Sequence, residues 1–367
     1  MTITMVRTCV QTLGSTLYRV TTPAYTKQEQ VPATSEIEQV AQGVFRTQLP
    51  IDMPGLGHVN MYVLEDSRGV AVVDPGLPGK ANWKAIVSRL KDLGVPVKRV
   101  HSIVITHSHP DHFGGAMRLQ QHTGADIITH ESFRLWFDPT EPDDVDVETQ
   151  AQFRRAFDVT PWGGPGFYLP RNRRLYYLAH QKLPRFFPLP KPTVRLAEHE
   201  YITLAGRKWL ALHTPGHTQD HLCLFDPDEG TMLSGDHVLP TITPHISGMS
   251  NNPDPLLGFF QSLDKIASFG EQVRVSLPAH GKPFEKLADR CDQIKLHHEQ
   301  RLTKLRDVAA DLDRPTTVMD FSKHLFSPRA QGAMADSETY AHLEHLRLAG
   351  EFARTADAGV HHYVRVS

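Results

Sequence analysis

Cysteine is scarce in this chain. Only Cys9, Cys223 and Cys291 occur in 367 residues, with no close-spaced pair. That excludes a disulfide scaffold and a thiolate zinc motif, and it fits a reducing, cytoplasmic setting. Long apolar runs are missing too. No stretch approaches the roughly 18–20 apolar residues that a membrane span needs, and the first 35 residues hold no apolar segment of the signal-peptide kind. Neither sign of charge is in excess. The 39 Lys and Arg against 41 Asp and Glu leave a formal net charge of −2, too little for a general polyanion surface, so nucleic acid is not expected as a partner. What the chain has in surplus is histidine: its 22 His are about 6% of the residues, more than packing alone requires.

The densest cluster is Thr106-His107-Ser108-His109-Pro110-Asp111-His112, just after the apolar run Ile103-Val104-Ile105. His107 and His109 stand two apart, so in an extended segment their side chains point the same way. Pro110 cannot donate a ladder hydrogen bond and turns the chain. The strand end therefore offers two imidazoles to one metal, and the turn offers Asp111 and His112 to a second metal close by. Imidazole and carboxylate together suit zinc, with iron or manganese as alternatives.

Three further turns follow in order. Thr214-Pro215-Gly216-His217-Thr218 follows Trp209-Leu210-Ala211-Leu212, and Ser234-Gly235-Asp236-His237 follows Thr231-Met232-Leu233. Pro278-Ala279-His280-Gly281 follows Val273-Arg274-Val275-Ser276-Leu277. Each places a His or Asp where a short apolar strand ends, beside a Gly that lets the backbone bend. Four such turns can converge on the rim of a sheet core.

With Asn60-Met61-Tyr62-Val63-Leu64 and Val72-Val73-Asp74-Pro75-Gly76, these turns resemble the metallo-β-lactamase-fold hydrolase superfamily over roughly residues 36–285. The strand–helix alternation alone gives a layered α/β class; the resemblance implies an αββα sandwich. It also implies two Zn2+ per chain. His107, His109 and His217 would hold the first, Asp111, His112 and His280 the second, and Asp236 would bridge both. A bridging Asp is nearer to the glyoxalase II-like thioesterases, lactonases and ribonucleases than to true β-lactamases. Two such metals, about 3.5–4 Å apart, would share a hydroxide that attacks a carbonyl. Asp111 would be the catalytic residue that orients this nucleophile or passes on its proton. Asp74 and His221 are expected to orient ligands from behind, and His237 to reach substrate. His213, four before His217, faces the other way on a strand and is left out.

The length allows one large domain and a smaller one. Residues 1–35 read as a frayed arm or one that wraps a partner subunit, and 36–287 as the catalytic domain. In it, Gly43–Pro50, Val59–Leu64, Val70–Asp74, Ser102–Ile105 and Asp126–Thr129 predict strands, and 81–93 and 113–122 predict helices. Residues 131–195 are too long for a structureless loop and read as a helical lid insertion. Its stretch Arg171–Lys191 is cationic without an acid. Arg174, Tyr176, Tyr177, Phe186 and Phe187 are the residues expected to bind a small-molecule acyl substrate. Packing of the insertion on the core is the alternative.

Residues 288–367 read as a small C-terminal unit. Leu302, Leu305, Val308 and Leu312 repeat at helical spacing, Thr316–Phe326 predicts a second helix, and 336–346, closed by Gly350, a third. Phe352–Thr355 and Val360–Val366 predict a hairpin. Helices followed by a hairpin resemble a winged helix, yet the helix that would read nucleic acid is acidic on balance, which opposes phosphate. Packing, or contact within a homodimer, is the expected role.

The substrate class expected first is a small ester, thioester or lactone. Thr214–His221 resembles the glyoxalase II motif, but Asp220 stands where a Gly is usual, which counts against glutathione thioesters. Leu239 stands three after the bridging Asp, where acyl-homoserine lactonases carry Tyr. A metal-dependent endoribonuclease is the alternative; a β-lactamase or a one-iron persulfide dioxygenase ranks below it.

Overall fold

The computed structural model describes residues 7–12, 17–22, 27–53, 55–135, 160–166, 175, 179 and 189–366, the first two segments as backbone. An N-terminal hairpin, β1 (Arg7–Thr12) and β2 (Leu17–Thr22), makes a two-stranded sheet of its own. A seven-stranded sheet follows: β3 (Ile37–Ala41), β4 (Val44–Met53), β5 (Leu56–Asp66), β6 (Gly69–Val73), β7 (Val100–Val104), β8 (Asp126–His130) and β9 (Val194–Leu196) lie side by side in chain order. It is antiparallel as far as β6 and parallel beyond. A five-stranded sheet holds β10 (Tyr201–Leu204), β11 (Arg207–His213), β12 (Leu222–Asp226), β13 (Thr231–Gly235) and β14 (Val275–Pro278), with only the last pair parallel.

Period-two alternation assigns each strand's faces. In β6, Ala71 and Val73 join Tyr62, Leu64, Val104 and Ile128 against Trp209, Ala211, Leu222, Leu224 and Leu233, so the two sheets share a core between them. Val70 and Val72 point the other way, with Met61, Val63 and Ile103, onto Ile86, Leu90, Ala116 and Leu119. Those four residues belong to helices α1 (Lys80–Asp92) and α3 (Ala116–Thr123). The outer face of the second sheet, with Leu212, Cys223, Phe225 and Met232, is covered by α4 (Pro255–Ala267) and α5 (Leu287–Leu312). The layers therefore run helix, sheet, sheet, helix, as expected.

The region around 110–123 is not one helix. A short α2 (Pro110–Phe113), with Pro at its first turn and His109 as its N-cap, precedes α3, and Gly114 and Gly115 separate them. A Cβ on Gly114 would lie 2.2 Å from Pro78 Cδ, and one on Gly115 2.2 Å from Pro75 O. The ligand-bearing turn is thus pressed against the loop after β6, closer than any side chain allows.

After α5 the chain makes β15 (Thr316–Thr317), α6 (Val318–Leu325), α7 (Ala333–Leu348), β16 (Phe352–Asp357) and β17 (Val360–Arg365). β17 lies between β15 and β16 in a three-stranded sheet. Thr317 ends the short strand and caps α6, its Oγ1 accepting from Asp320 N. Leu302, Leu305, Val318, Phe321, Leu343, Phe352 and Tyr363 share one continuous core with Phe259 and Leu263 of α4. Trp162, in a described part of the insertion, joins that core and lies 5.1 Å from the Tyr340 ring.

The arm is not frayed throughout. Gln28–Gln30 forms a single turn in which Glu29 is fully buried. Its carboxylate accepts the amides of Thr241 and Ile242 at 2.8 and 3.1 Å and the Thr241 hydroxyl. Charge-assisted bonds of this kind offset the cost of burying the charge. Among the described residues no helix is long and apolar enough to cross a membrane.

Candidate metal centre

All four ligand-bearing turns lie at the C-terminal ends of strands, on one rim where the two sheets are stitched together. Leu222 N donates to Thr106 O at 2.8 Å and Asn60 N to Ala279 O at 2.7 Å. Tyr62 Oη and Asn60 Nδ2 both donate to Pro278 O at 2.7 Å. These bonds fix β7's exit against the start of β12, and β5 against the exit of β14.

The turns bring seven side chains together in two groups. His107 Nε2 and His109 Nδ1 lie 2.9 Å apart, and His109 Nδ1 and His217 Nε2 3.1 Å apart. In the second group, Asp111 Oδ2 is 3.5 Å from both His112 Nε2 and His280 Nε2. Asp236 stands between them. Its Oδ2 is 3.6 Å from His217 Nε2, 4.0 Å from His107 Nε2 and 3.6 Å from His112 Nε2, while Oδ1 is 3.3 Å from His280 Nε2. His107, His109, His217 and Asp236 could hold one cation, and Asp111, His112 and His280 another.

The donor set fits metals in two respects. First, the outward nitrogens are already committed. His112 Nδ1 donates to Asp74 Oδ2 at 2.9 Å, His217 Nδ1 to His245 O at 2.7 Å, and His280 Nδ1 to His58 O at 2.6 Å. His107 Nδ1 meets Thr106 Oγ1 at 3.1 Å. Each such bond places the proton on Nδ1 and leaves the Nε2 lone pair facing the centre. Second, His112 Nε2, His280 Nε2 and Asp236 Oδ1 are buried with no hydrogen-bond partner, an arrangement that costs free energy unless a cation satisfies it. Zinc–nitrogen bonds of about 2.0–2.1 Å would space tetrahedral ligands about 3.3 Å apart, close to the separations seen.

Charge within the centre follows from burial and neighbours. Burial lowers His107 and His221 well below the usual range, takes His109 down to about 3 and lowers His217, so all four rings are neutral, and His107, His109 and His217 face the centre as neutral ligands. Burial also opposes charge on His112 and His280, but Asp111, Asp74 and Asp236 raise the first, and Asp236 and Asp111 the second. A proton there takes the place a cation would have between imidazole and carboxylate. Asp236 is the counterpart: burial raises it, yet His280 and His112 hold it well below the carboxylate range.

Behind the ligands, Asp74 and His221 are both in contact with the ligand turns. Asp74 adopts φ 52°, and its two oxygens accept the Thr106 amide at 2.9 Å and hydroxyl at 2.8 Å as well as His112. His221 Nε2 accepts the Asp236 amide at 3.0 Å, and its Nδ1 meets Thr214 Oγ1 at 2.7 Å. Gly235 has φ +51°, and a Cβ there would lie 2.6 Å from His221 Nε2.

His237 is fully buried, its ring 5.8 Å from His221 and 5.0 Å from Phe259 of α4. His213 stacks on His130 at 3.8 Å, away from the two ligand groups. Asp220 is buried, and its Oδ1 accepts from Ser108 Oγ at 3.1 Å, tying the His107–His109 turn to the His217 turn. Arg174, Tyr176, Tyr177, Phe186 and Phe187 lie outside the described residues. Sequence reasoning missed His58, whose Nδ1 donates to Val31 O at 2.7 Å and whose Nε2 accepts Gly281 N at 3.0 Å. It also missed His245. Only the histidine surplus hinted at either.

Residues 54–296 match the family model described as the metallo-beta-lactamase superfamily. The chain is 26% identical to an atrochrysone carboxyl ACP thioesterase of Passalora fulva, over 85% of this chain and 75% of that one. It is 27% identical to a hydroxyacylglutathione hydrolase of Haemophilus influenzae, over 47% of this chain and 63% of the relative. A solved metallo-beta-lactamase family protein from Thermus thermophilus superposes with a TM-score of 0.72 at 29% identity, covering 89% of this chain and all of that one.

Proposed function

The chain belongs to the metallo-beta-lactamase superfamily, and from that premise we propose that it is a dinuclear zinc hydrolase of small acyl esters, thioesters or lactones. The observation that carries the reading is Asp236, whose carboxylate lies within 4.0 Å of His107, His217, His112 and His280 and so joins both ligand groups. When bound, two closely spaced metals supply the Lewis acidity that activates water and polarises a carbonyl.

The chain's own residues supply the rest. Asp74, His245 and His58 orient the imidazoles, and His221 and Gly235 set the backbone of Asp236. Asp111, a buried carboxylate beside His112 and His280, orients the attacking water and takes its proton. His109 is half-buried, and His217 and Asp236 keep 7% and 6% exposure, whereas His107, His112 and His280 keep none, so substrate approaches over the His109 side.

Similarity to two thioester hydrolases supports a thioester within this class. The chemistry agrees, because a thiolate departs at neutral pH without first taking a proton. Asp220 does not argue against an acyl thioester in general, since it is bound to Ser108 and acts within the ligand turns.

The second reading, an endoribonuclease, has one observation in its favour: α5, β15, α6, α7, β16 and β17 follow one another in the order of a winged helix. The test is a panel on zinc-loaded protein containing acyl thioesters, aryl esters, lactones, a cephalosporin and single-stranded RNA. Thioester turnover that disappears in Asp236→Ala is expected; RNA cleavage dependent on Asp236 would replace the first reading with the second.

A further inference from the structure

His217 is held by a carbonyl, not by a side chain. Its Nδ1 donates to His245 O at 2.7 Å. His245 lies in the 236–254 segment, which has neither helix nor strand. A segment without its own hydrogen-bond ladder stays in place only through contacts with its surroundings, and here many of those come from the C-terminal unit. Arg290 of α5 donates to Leu239 O and Ile242 O at 2.6 and 2.7 Å. Ser337 of α7 accepts from Gly248 N at 3.0 Å. Gly248 lies so close to α7 that a Cβ would be 2.5 Å from Ser337 O.

The His245 ring itself faces a carboxylate of α7. His245 Nδ1 is 3.4 Å from Glu338 Oε2, and the other oxygen of Glu338 is bound by Arg301 of α5. Burial works against charge on Glu338, but His245 and Arg301 hold its carboxyl below the usual range. Glu338, with His298 and His342, has the composition of a ligand set. Three features argue for a brace instead. Arg301 occupies an oxygen a cation would need, His342 Nδ1 donates to Glu338 O at 2.7 Å, and His298 Nδ1 meets His342 Nε2 at 3.0 Å.

We propose that Glu338 is a positioning residue of the metal centre, acting through the His245 ring to fix the carbonyl that orients His217. The C-terminal unit is on this account part of the first ligand group's support. The inference rests on the dinuclear reading and adds a route by which α7, outside the matched family region, sets affinity at His107, His109 and His217.

The test uses the full chain. Zinc affinity and stoichiometry are measured by competition with a chromophoric chelator for wild type, Glu338→Gln, His245→Ala and the double variant, with melting temperature alongside. His245→Ala keeps the backbone carbonyl and removes only the ring, which is 20% exposed, so it decides the matter even where Glu338→Gln fails to fold. Each single variant is expected to lose about tenfold in affinity for one of two zinc ions, in line with lost outer-sphere partners elsewhere. The double variant is expected to be no worse than the poorer single, because both act through one contact. A folded His245→Ala with wild-type affinity for both ions overturns the proposal. So does a wild type that binds three ions and loses the third in Glu338→Gln, which would make the cluster a metal site. A wild type that binds no metal fails the dinuclear reading itself, and this proposal with it.

Discussion

The Asp74 carboxylate accepts a hydrogen bond from His112 Nδ1 at 2.9 Å while holding both the amide and the hydroxyl of Thr106. One side chain, itself in a left-handed backbone conformation, thus sets the start of the ligand turn and the orientation of a ligand six residues on. The pair fixes the imidazole proton on Nδ1 and turns Nε2 inward.

Asp74→Asn tests that role. Its amide nitrogen would face His112 Nδ1 as donor to donor, so the ring would move its proton to Nε2, the atom that faces the second ligand group. The expected result is a loss of about 10–100-fold in affinity for one of two metals, measured by chelator competition. Unchanged affinity for both ions would show that the carboxylate does not set the tautomer.

Asp236→Ala and His213→Ala separate the bridge from its near neighbours. Asp236 faces both groups, so its removal should lower metal content and turnover together. His213 stacks on His130, and its Nε2 meets Gln219 O at 2.7 Å, so its loss should leave metal content unchanged. Elemental analysis of protein purified without chelator decides this. Stripping by His213→Ala with retention in His217→Ala would reverse the assignment of that turn.

Much of the centre was legible because each ligand turn ends an apolar run and carries a Gly or Pro that no strand interior would keep. Less visible were contacts made through the main chain. His245 and His58 act on His217 and His280 through their carbonyls, which every residue has, so no side-chain pattern marks them. The direction of His237 was not legible, because adjacency to Asp236 says nothing about it; Gly235 has φ +51°, and the ring packs against Phe259. Periodicity gave α1 to within a residue at each end, but it could not find β15, two residues long. Nor could it find the break between α2 and α3, which is imposed by the neighbouring Pro75–Pro78 loop. Glu29 in an apparently featureless arm was invisible, since its hydrogen-bond donors lie more than 200 residues away.

Asp220 gives a pH prediction. Burial raises it from 3.8 to about 6, against the hydrogen bonds of Thr218 and Ser108 that lower it. A carboxyl with a raised folded pKa binds more protons in the folded than in the unfolded state between those values. Its contribution to stability is therefore intact below about pH 4 and declines as pH rises to about 6. Asp220→Asn removes the titration. In metal-free protein, the stability of the variant relative to wild type should rise by about 3 kcal/mol between pH 4 and 7, followed by urea unfolding at each pH. A difference that stays constant over that window would show that Asp220 is not held protonated by its surroundings.

The last prediction concerns substrate class. A helix that reads a nucleic-acid groove must present one long face to solvent. In α7, nine of the 16 residues are buried, and only Met334 and Leu348, near its two ends, are exposed. Two of its three acids are engaged internally: Glu338 with Arg301, and Glu344 with Arg347 and Arg354. The winged-helix order of elements is thus used for packing, with α7 turned towards α4 and the 236–254 segment. Single-stranded RNA should bind weakly, and Asp236→Ala should not change whatever cleavage remains. Acyl thioesters should be hydrolysed with a kcat/KM that falls at least about 100-fold in the same variant, as expected when a group that organises the reacting centre is lost. Neutralising Arg171, Arg173 and Arg174 should raise KM for anionic acyl substrates; if it instead flattened a steep salt dependence of RNA binding, phosphate contacts would be implicated and the endoribonuclease reading would take precedence.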